Sequence, residues 1–371
     1  MQGNAQRTPE SSWSDLRLGG TRFVGLSVVF ACLFLVAAEL ALQVRSQLRS
    51  GQSVFTAAKG ETKYVMNAEL GIRTLRPNTV IRGSQQVIAT NRYGLRGDDF
   101  EPTPPSGEFR IAQLGASTIQ GAFAPTNAET SSAVLARLLE NSLPDAKVRV
   151  INAGLDGTTL DGQTKVLEKL LPQLGVRFVI WYPGTNDIGC TAPARPAAAA
   201  RLRLPWFALP RWTLSNDLIV MNTTWLRKSN APLNQSLVRS FDLEGMRKTI
   251  ERGIDVAGSL GIPLVLVTSA TGYRSEMTAD EITGRASTAL FFRPCYTGPQ
   301  LAASVDAFND MLRGVASERA VPLIDAARLV PADPSLFGDA NHFSARGEAR
   351  YAAAIATELT ARRLPTGVAN P

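Results

Sequence analysis

The chain has 371 residues, 44% of them hydrophobic, with 39 Lys+Arg against 32 Asp+Glu for a net charge of +7, three cysteines and one histidine. This composition excludes a disordered chain, and one histidine with three cysteines, none in a CxxC pair, excludes the usual structural zinc sites. The positive charge is scattered, with no dense basic run or interleaved aromatics, so no nucleic-acid partner is expected.

Residues 1–22 read as a polar leader holding Arg7, Arg17 and Arg22. Residues 23–42, Phe23 to Leu42, are apolar except for Ser27 and Glu39. At about 1.5 Å per residue, such a run crosses a hydrocarbon core of about 30 Å, and it predicts a transmembrane anchor. A cleaved signal peptide is the alternative, with Val36 and Ala38 before a cut at Glu39; the spanning length favours an uncleaved anchor. Arg45 and Arg49 follow the run, so charge does not fix the orientation. The default for one early segment puts the bulk of the chain outside, on the periplasmic side. Cys32 reads as a small apolar residue of the span. Cys190 and Cys295 either pair across 295 − 190 = 105 positions or stay as two buried thiols.

Residues 50–107 read as a β-containing lead-in, with extended segments at Thr79–Ile81 and Gln86–Ala89 and a stop at Pro102, Pro104 and Pro105. Over 108–362 short apolar runs alternate with amphipathic stretches. Strands are expected at Phe109–Leu114, Val148–Asn152, Phe178–Tyr182, Leu264–Thr268 and Pro322–Asp325. Helices are expected at Glu129–Leu143, Leu160–Leu171, Leu243–Leu260, Leu301–Glu318 and Ala345–Arg362. The alternation predicts an α/β fold, a parallel sheet covered by helices on both faces, with its ligand crevice at the carboxyl ends of the strands. Two insertions interrupt it. Residues 190–241 carry Trp206, Trp212 and Trp225 among arginines, and read either as a lid for sugars or a membrane surface or as a loop packed on the domain; residues 272–299 carry no readable chemistry.

The residues after each strand hold the candidate chemistry. The first strand ends in Gly115-Ala116-Ser117-Thr118, which places a hydroxyl at the crevice beside a tight turn. The second runs into Asn152-Ala-Gly-Leu-Asp-Gly157-Thr-Thr and the third into Pro183-Gly-Thr-Asn186-Asp187. A glycine N–H and an asparagine amide can donate to a developing oxyanion. After the last strand comes Asp339-Ala-Asn-His342, where the carboxylate is close enough to orient the chain's only imidazole. No Ser-x-x-Lys, phosphate-binding loop or Gly-x-Gly-x-x-Gly occurs.

These four blocks, in this order over roughly Glu108 to Leu359, resemble the SGNH hydrolases, also called GDSL-type esterases and lipases. Asn91-Arg-Tyr-Gly-Leu-Arg96 followed by Phe109-Arg110-Ile111 looks like the lead-in of membrane-anchored bacterial members. The resemblance implies a three-layer α/β/α sandwich around a flavodoxin-like five-stranded parallel sheet. It implies Ser117 as nucleophile, Asp339 and His342 as its triad partners, and an oxyanion hole from Ser117, Gly157 and Asn186. It implies no cofactor and no metal, and an acyl-ester substrate on a glycan or lipid, O-acetyl esters included. An O-acyltransferase serving a surface glycan is the alternative within the same chemistry, and a non-catalytic glycan-binding relative the alternative outside it. The family's signature aspartate is replaced by Ala116, at a position that carries none of the four catalytic roles.

Overall fold

A computed structural model describes residues 20–50, 63–82, 86–142, 147–191 and 237–364. The tryptophans of the first insertion and residues 1–19 lie outside these. Helix α1, Gly20–Ser50, carries the apolar run. Among the described residues it is the one helix long and apolar enough to cross a membrane, over Phe23–Arg45, and none of its most apolar stretch is buried in the fold. An N-terminal signal sequence can also form such an apolar helix.

The lead-in holds two hairpins. Strands β1 (Tyr64–Asn67) and β2 (Ile72–Leu75) pair antiparallel, as do β3 (Val80–Arg82) and β4 (Val87–Ala89). The first hairpin was not expected from the sequence. Its turn is made by the Asn67 side chain, which accepts from the N–H groups of Glu69 and Leu70, and by Gly71 at φ 63°.

The domain is built on β5 (Glu108–Gly115), β6 (Lys147–Gly154) and β7 (Phe178–Tyr182), then, after the small antiparallel pair β8 (Gly189–Thr191) and β9 (Val238–Ser240), on β10 (Leu264–Val267) and β11 (Leu323–Ile324). The sheet runs β11-β10-β7-β5-β6, all parallel, which is the flavodoxin-like order. Strand β7 shows why its sequence is apolar throughout: Val179 and Trp181 enter one core, Phe178, Ile180 and Tyr182 the other. Helices α2 (Ser131–Ser142) and α8 (Ala345–Ala361) cover the second face. Helices α3 (Leu160–Lys165), α4 (Leu243–Ser259) and α7 (Gly298–Glu318) cover the first. Gly253 lets α4 approach the Trp181 ring, since a Cβ there would lie 2.3 Å from it.

Helix boundaries differ from expectation where local hydrogen bonding competes. A capping box of Thr126 and Glu129 makes Asn127–Glu129 a 3-10 turn, so α2 starts at Ser131. The helix expected to reach Leu171 continues past Lys165 as a π turn over Val166–Leu170. Helix α7 begins three residues earlier than expected because Thr297 and Gln300 form a capping box.

The second insertion folds as two short helices, α5 (Ala279–Arg285) and α6 (Ser287–Phe292). Of the two alternatives for the cysteines, the structure has the bridge: Cys190 in β8 is bonded to Cys295 just after α6. Closing so long a loop contributes at most about 4 to 5 kcal/mol in the chain-entropy account.

Candidate active site

The sheet order reverses beside β5, which opens a crevice at the carboxyl ends of β5 and β7. Ser117 stands there, opening a single helical turn, Ser117–Gln120, that ends on Gly121 in the left-handed region at φ 84°. The turn is pressed onto its neighbours. A Cβ at Gly115 would lie 2.8 Å from the Tyr182 carbonyl oxygen, and one at Gly154 would lie 2.2 Å from the Gln120 nitrogen. Asn152 completes the fixation, donating to the Ile119 carbonyl at 2.9 Å while accepting from Gly154 N–H.

His342 Nε2 lies 2.8 Å from Ser117 Oγ. Its Nδ1 faces both Asp339 oxygens, at 2.9 and 2.8 Å. Asp339 also accepts from the backbone N–H groups of Asn341 and His342. Burial pushes the Asp339 carboxyl up, but the hydrogen bonds and the imidazole outweigh it and hold the group below its ordinary value. An ionised Asp339 only accepts, so Nδ1 carries the proton and Nε2 is left to accept from the serine hydroxyl. The loop that presents the ring is pinned by Gly338 N–H to the His342 carbonyl and by Phe343, fully buried against Tyr351.

Three residues that can donate line the same cleft. Among the described residues, the backbone N–H groups of Ser117 and Gly157 have no acceptor, and Gly157 holds a φ of 72°. Asn186 Nδ2 donates to the Thr158 carbonyl at 3.1 Å, and its second N–H has no acceptor among the described residues. Ser117, Gly157, Asn186, Asp339 and His342 all line one cleft of about 470 Å³. A hydroxyl whose proton has an acceptor, facing convergent N–H groups, can attack a carbonyl and hold the resulting oxyanion.

Two supports of this site have roles that the sequence does not disclose. Arg96, buried in the lead-in, donates to the carbonyls of Gln120, Gly121 and Ala124 and to Asn127 Oδ1, gripping the segment that follows Ser117. Burial pushes its guanidinium down to about 10, so it is charged at neutral pH. Arg293, at the end of α6, donates to the carbonyls of Thr185 and Ile188 on either side of Asn186. The insertion without readable chemistry thus supplies the far wall of the cleft, through Thr288, Ala289, Phe292 and Arg293. Arg96 closes the Asn91–Arg96 pattern and Arg293 belongs to none, and in neither case does the sequence disclose the role, because the partners are backbone carbonyls remote in the chain. Asp187 acts locally: it accepts from Leu160 N–H at 2.9 Å and ties the Asn186 loop to the start of α3, and burial pushes its carboxyl up.

Among solved structures, the chain is similar to a lipase/acylhydrolase from Enterococcus faecalis, at 20% identity and TM-score 0.42 over 68% of this chain and 96% of that one. It is similar to an alpha/beta hydrolase from the metagenome of Lake Arreo, Spain, at 17% identity and TM-score 0.43 over 73% and 99%. An acetyl xylan esterase is similar at 13% identity and TM-score 0.43 over 68% and 100%. No curated protein matches the sequence. The model of the GDSL-like Lipase/Acylhydrolase family matches residues 114–350, a stretch that begins at the end of β5 and closes beyond His342. That match takes in well over half of the chain, and the chain belongs to the GDSL-like lipase/acylhydrolase family.

Proposed function

We propose that the protein is a membrane-anchored serine esterase that cleaves acyl esters, O-acetyl esters among them, through an acyl-enzyme. The observation that carries this reading is the continuous hydrogen-bonded chain Ser117–His342–Asp339. His342 Nε2 takes the hydroxyl proton as Ser117 Oγ attacks the ester carbonyl carbon. The oxyanion accepts from the N–H groups of Ser117 and Gly157 and from the Asn186 amide. His342 then gives its proton to the leaving alcohol, and Asp339 stabilises the imidazolium in between. Water, deprotonated by the same nitrogen, releases the acid and restores the serine. Helix α1 supports the anchor. The Cys190–Cys295 bridge supports an extracytoplasmic placement, since such bonds persist in oxidising compartments.

The test is ester turnover by the wild type, Ser117→Ala and His342→Ala. Each substitution is expected to lower kcat by about 10⁴-fold or more. Turnover that survives His342→Ala at near wild-type rate contradicts the mechanism. Following the acyl group by mass spectrometry, with and without a glycan acceptor, distinguishes release to water from transfer.

A further inference from the structure

The β1–β2 hairpin of the lead-in reaches the rim of the cleft and brings two cations with it. Lys63 Nζ lies 5.0 Å from the centroid of the Tyr64 ring, and Arg73 Cζ lies 4.2 Å from it. The Tyr64 hydroxyl donates to Asp156, the residue before Gly157, so the hairpin is fastened to the loop that carries the proposed oxyanion donor. Arg73 overhangs that donor: its Nη2 lies 3.7 Å from the position a Cβ would take on Gly157. Asp156 and Gly157 both line the cleft.

Neither cation makes a close ion pair with a described residue. Among the described residues, no carboxylate comes within 4.0 Å of Lys63 or Arg73, although the chain pairs many of its other arginines, Arg92, Arg247 and Arg313 among them. Arg73 is exposed, whereas Lys63 is half-buried. Burial pushes the Lys63 ammonium down and Asp156 pushes it back up. A half-buried ammonium whose one counter-charge, Asp156, also accepts from Tyr64 gains from a second anion. Tyr64 holds both cations at its ring by cation–π attraction, which fixes their place without cancelling their charge.

Resting on the esterase reading above, the geometry points to an anion subsite formed by Lys63 and Arg73 at the Gly157 rim, which takes a carboxylate or phosphate carried by the acyl ester. The two positive charges outnumber the single carboxylate of Asp156, so the rim favours an anionic ester over a neutral one. The anion belongs either to the acyl part or to the alcohol part, and the two are separated by experiment.

Two charged esters are each compared with a neutral counterpart. Mono-4-nitrophenyl succinate against its methyl ester places the charge on the acyl side. 4-Acetoxybenzoate against methyl 4-acetoxybenzoate places it on the leaving group. In at least one pair the wild type is expected to favour the charged ester, and Arg73→Gln is expected to lower that preference in kcat/KM by about fivefold, the upper range for an exposed ion pair. Adding Lys63→Gln lowers it further, and 0.5 M salt is expected to shrink it in the wild type on the order of the same factor. A preference unchanged by Arg73→Gln in both pairs overturns the subsite. Titration of phenyl phosphate, followed by NMR, reads the same site without turnover. Weaker binding to Arg73→Gln in a protein that hydrolyses no ester upholds the subsite and removes the esterase reading. Equal binding by wild type and Arg73→Gln overturns the subsite whatever the activity.

Discussion

The two halves of the site are held by different means. The Ser117 turn is gripped by buried groups, by Asn152 and the close approach of Gly154 from the sheet and by the guanidinium of Arg96 from the lead-in. The Asn186 loop is tied to the start of α3 through Asp187, and it leans on the second insertion through Arg293 and through the Cys190–Cys295 bridge a few residues further on. The difference separates a part that owes nothing to the second insertion from a part that leans on it. Changes to the second insertion can alter the Asn186 loop and the cleft wall while Ser117 and its turn stay in place.

The largest expected effect falls on the hydrogen-bonded chain itself. Asp339→Asn removes the carboxylate that sets the imidazole tautomer, and kcat is expected to fall about 10⁴-fold with little change in thermal stability. A fall of less than tenfold would mean that the ring is oriented by other groups. Next comes Arg96→Ala, which leaves the carbonyls of Gln120, Gly121 and Ala124 without their donor in a buried space. A destabilisation of about 3 to 5 kcal/mol is expected in chemical denaturation, and Arg96→Lys is expected to recover only part of it. A loss below about 1 kcal/mol would show that the nucleophile turn needs no grip from the lead-in.

Arg293→Ala tests the Asn186 loop. Freed carbonyls at Thr185 and Ile188 let the Asn186 amide drift, and kcat is expected to drop about tenfold to a hundredfold while the Ser117–His342 pair is untouched. An equal loss of kcat and stability would make Arg293 a support of the core rather than of the Asn186 loop.

The smallest effect concerns pH. Glu348 is fully buried behind the nucleophile side and accepts from Ser131 N–H at 2.7 Å; burial pushes its carboxyl up to about 8. The folded state therefore keeps a proton that the unfolded state loses in the ordinary carboxylate range. This contribution is complete below that range and is lost as pH rises through about 8. Melting temperature is expected to decline across this window in the wild type and to decline less in Glu348→Gln. Parallel curves would contradict the burial argument. Asp339 runs the other way: its lowered pKa stabilises the fold above the ordinary carboxylate range, and that contribution disappears in acid.

What the sequence discloses follows the range of the interactions. The five sheet strands are legible because each is an apolar run between turn residues; Ser117, Gly157 and Asn186 are legible because they follow such runs at short spacings, and Asp339 and His342 because the carboxylate stands three residues before the chain's one histidine. The β1–β2 hairpin is not, since its four-residue strands alternate too briefly and its turn depends on the Asn67 side chain. Arg96 and Arg293 are not, because their acceptors are carbonyl groups that any residue supplies. The cysteine pairing was open between a bridge and two thiols, and only the approach of β8 to the end of α6 decides it.

The central claim is that Ser117 is the hydroxyl activated by His342 and Asp339. The most direct measurement is peptide mass spectrometry of the folded protein after reaction with a fluorophosphonate. A single adduct on Ser117, absent in Ser117→Ala and formed at least about a hundredfold more slowly in His342→Ala, is the predicted result. An adduct on another residue, or none on folded wild-type protein, would contradict it.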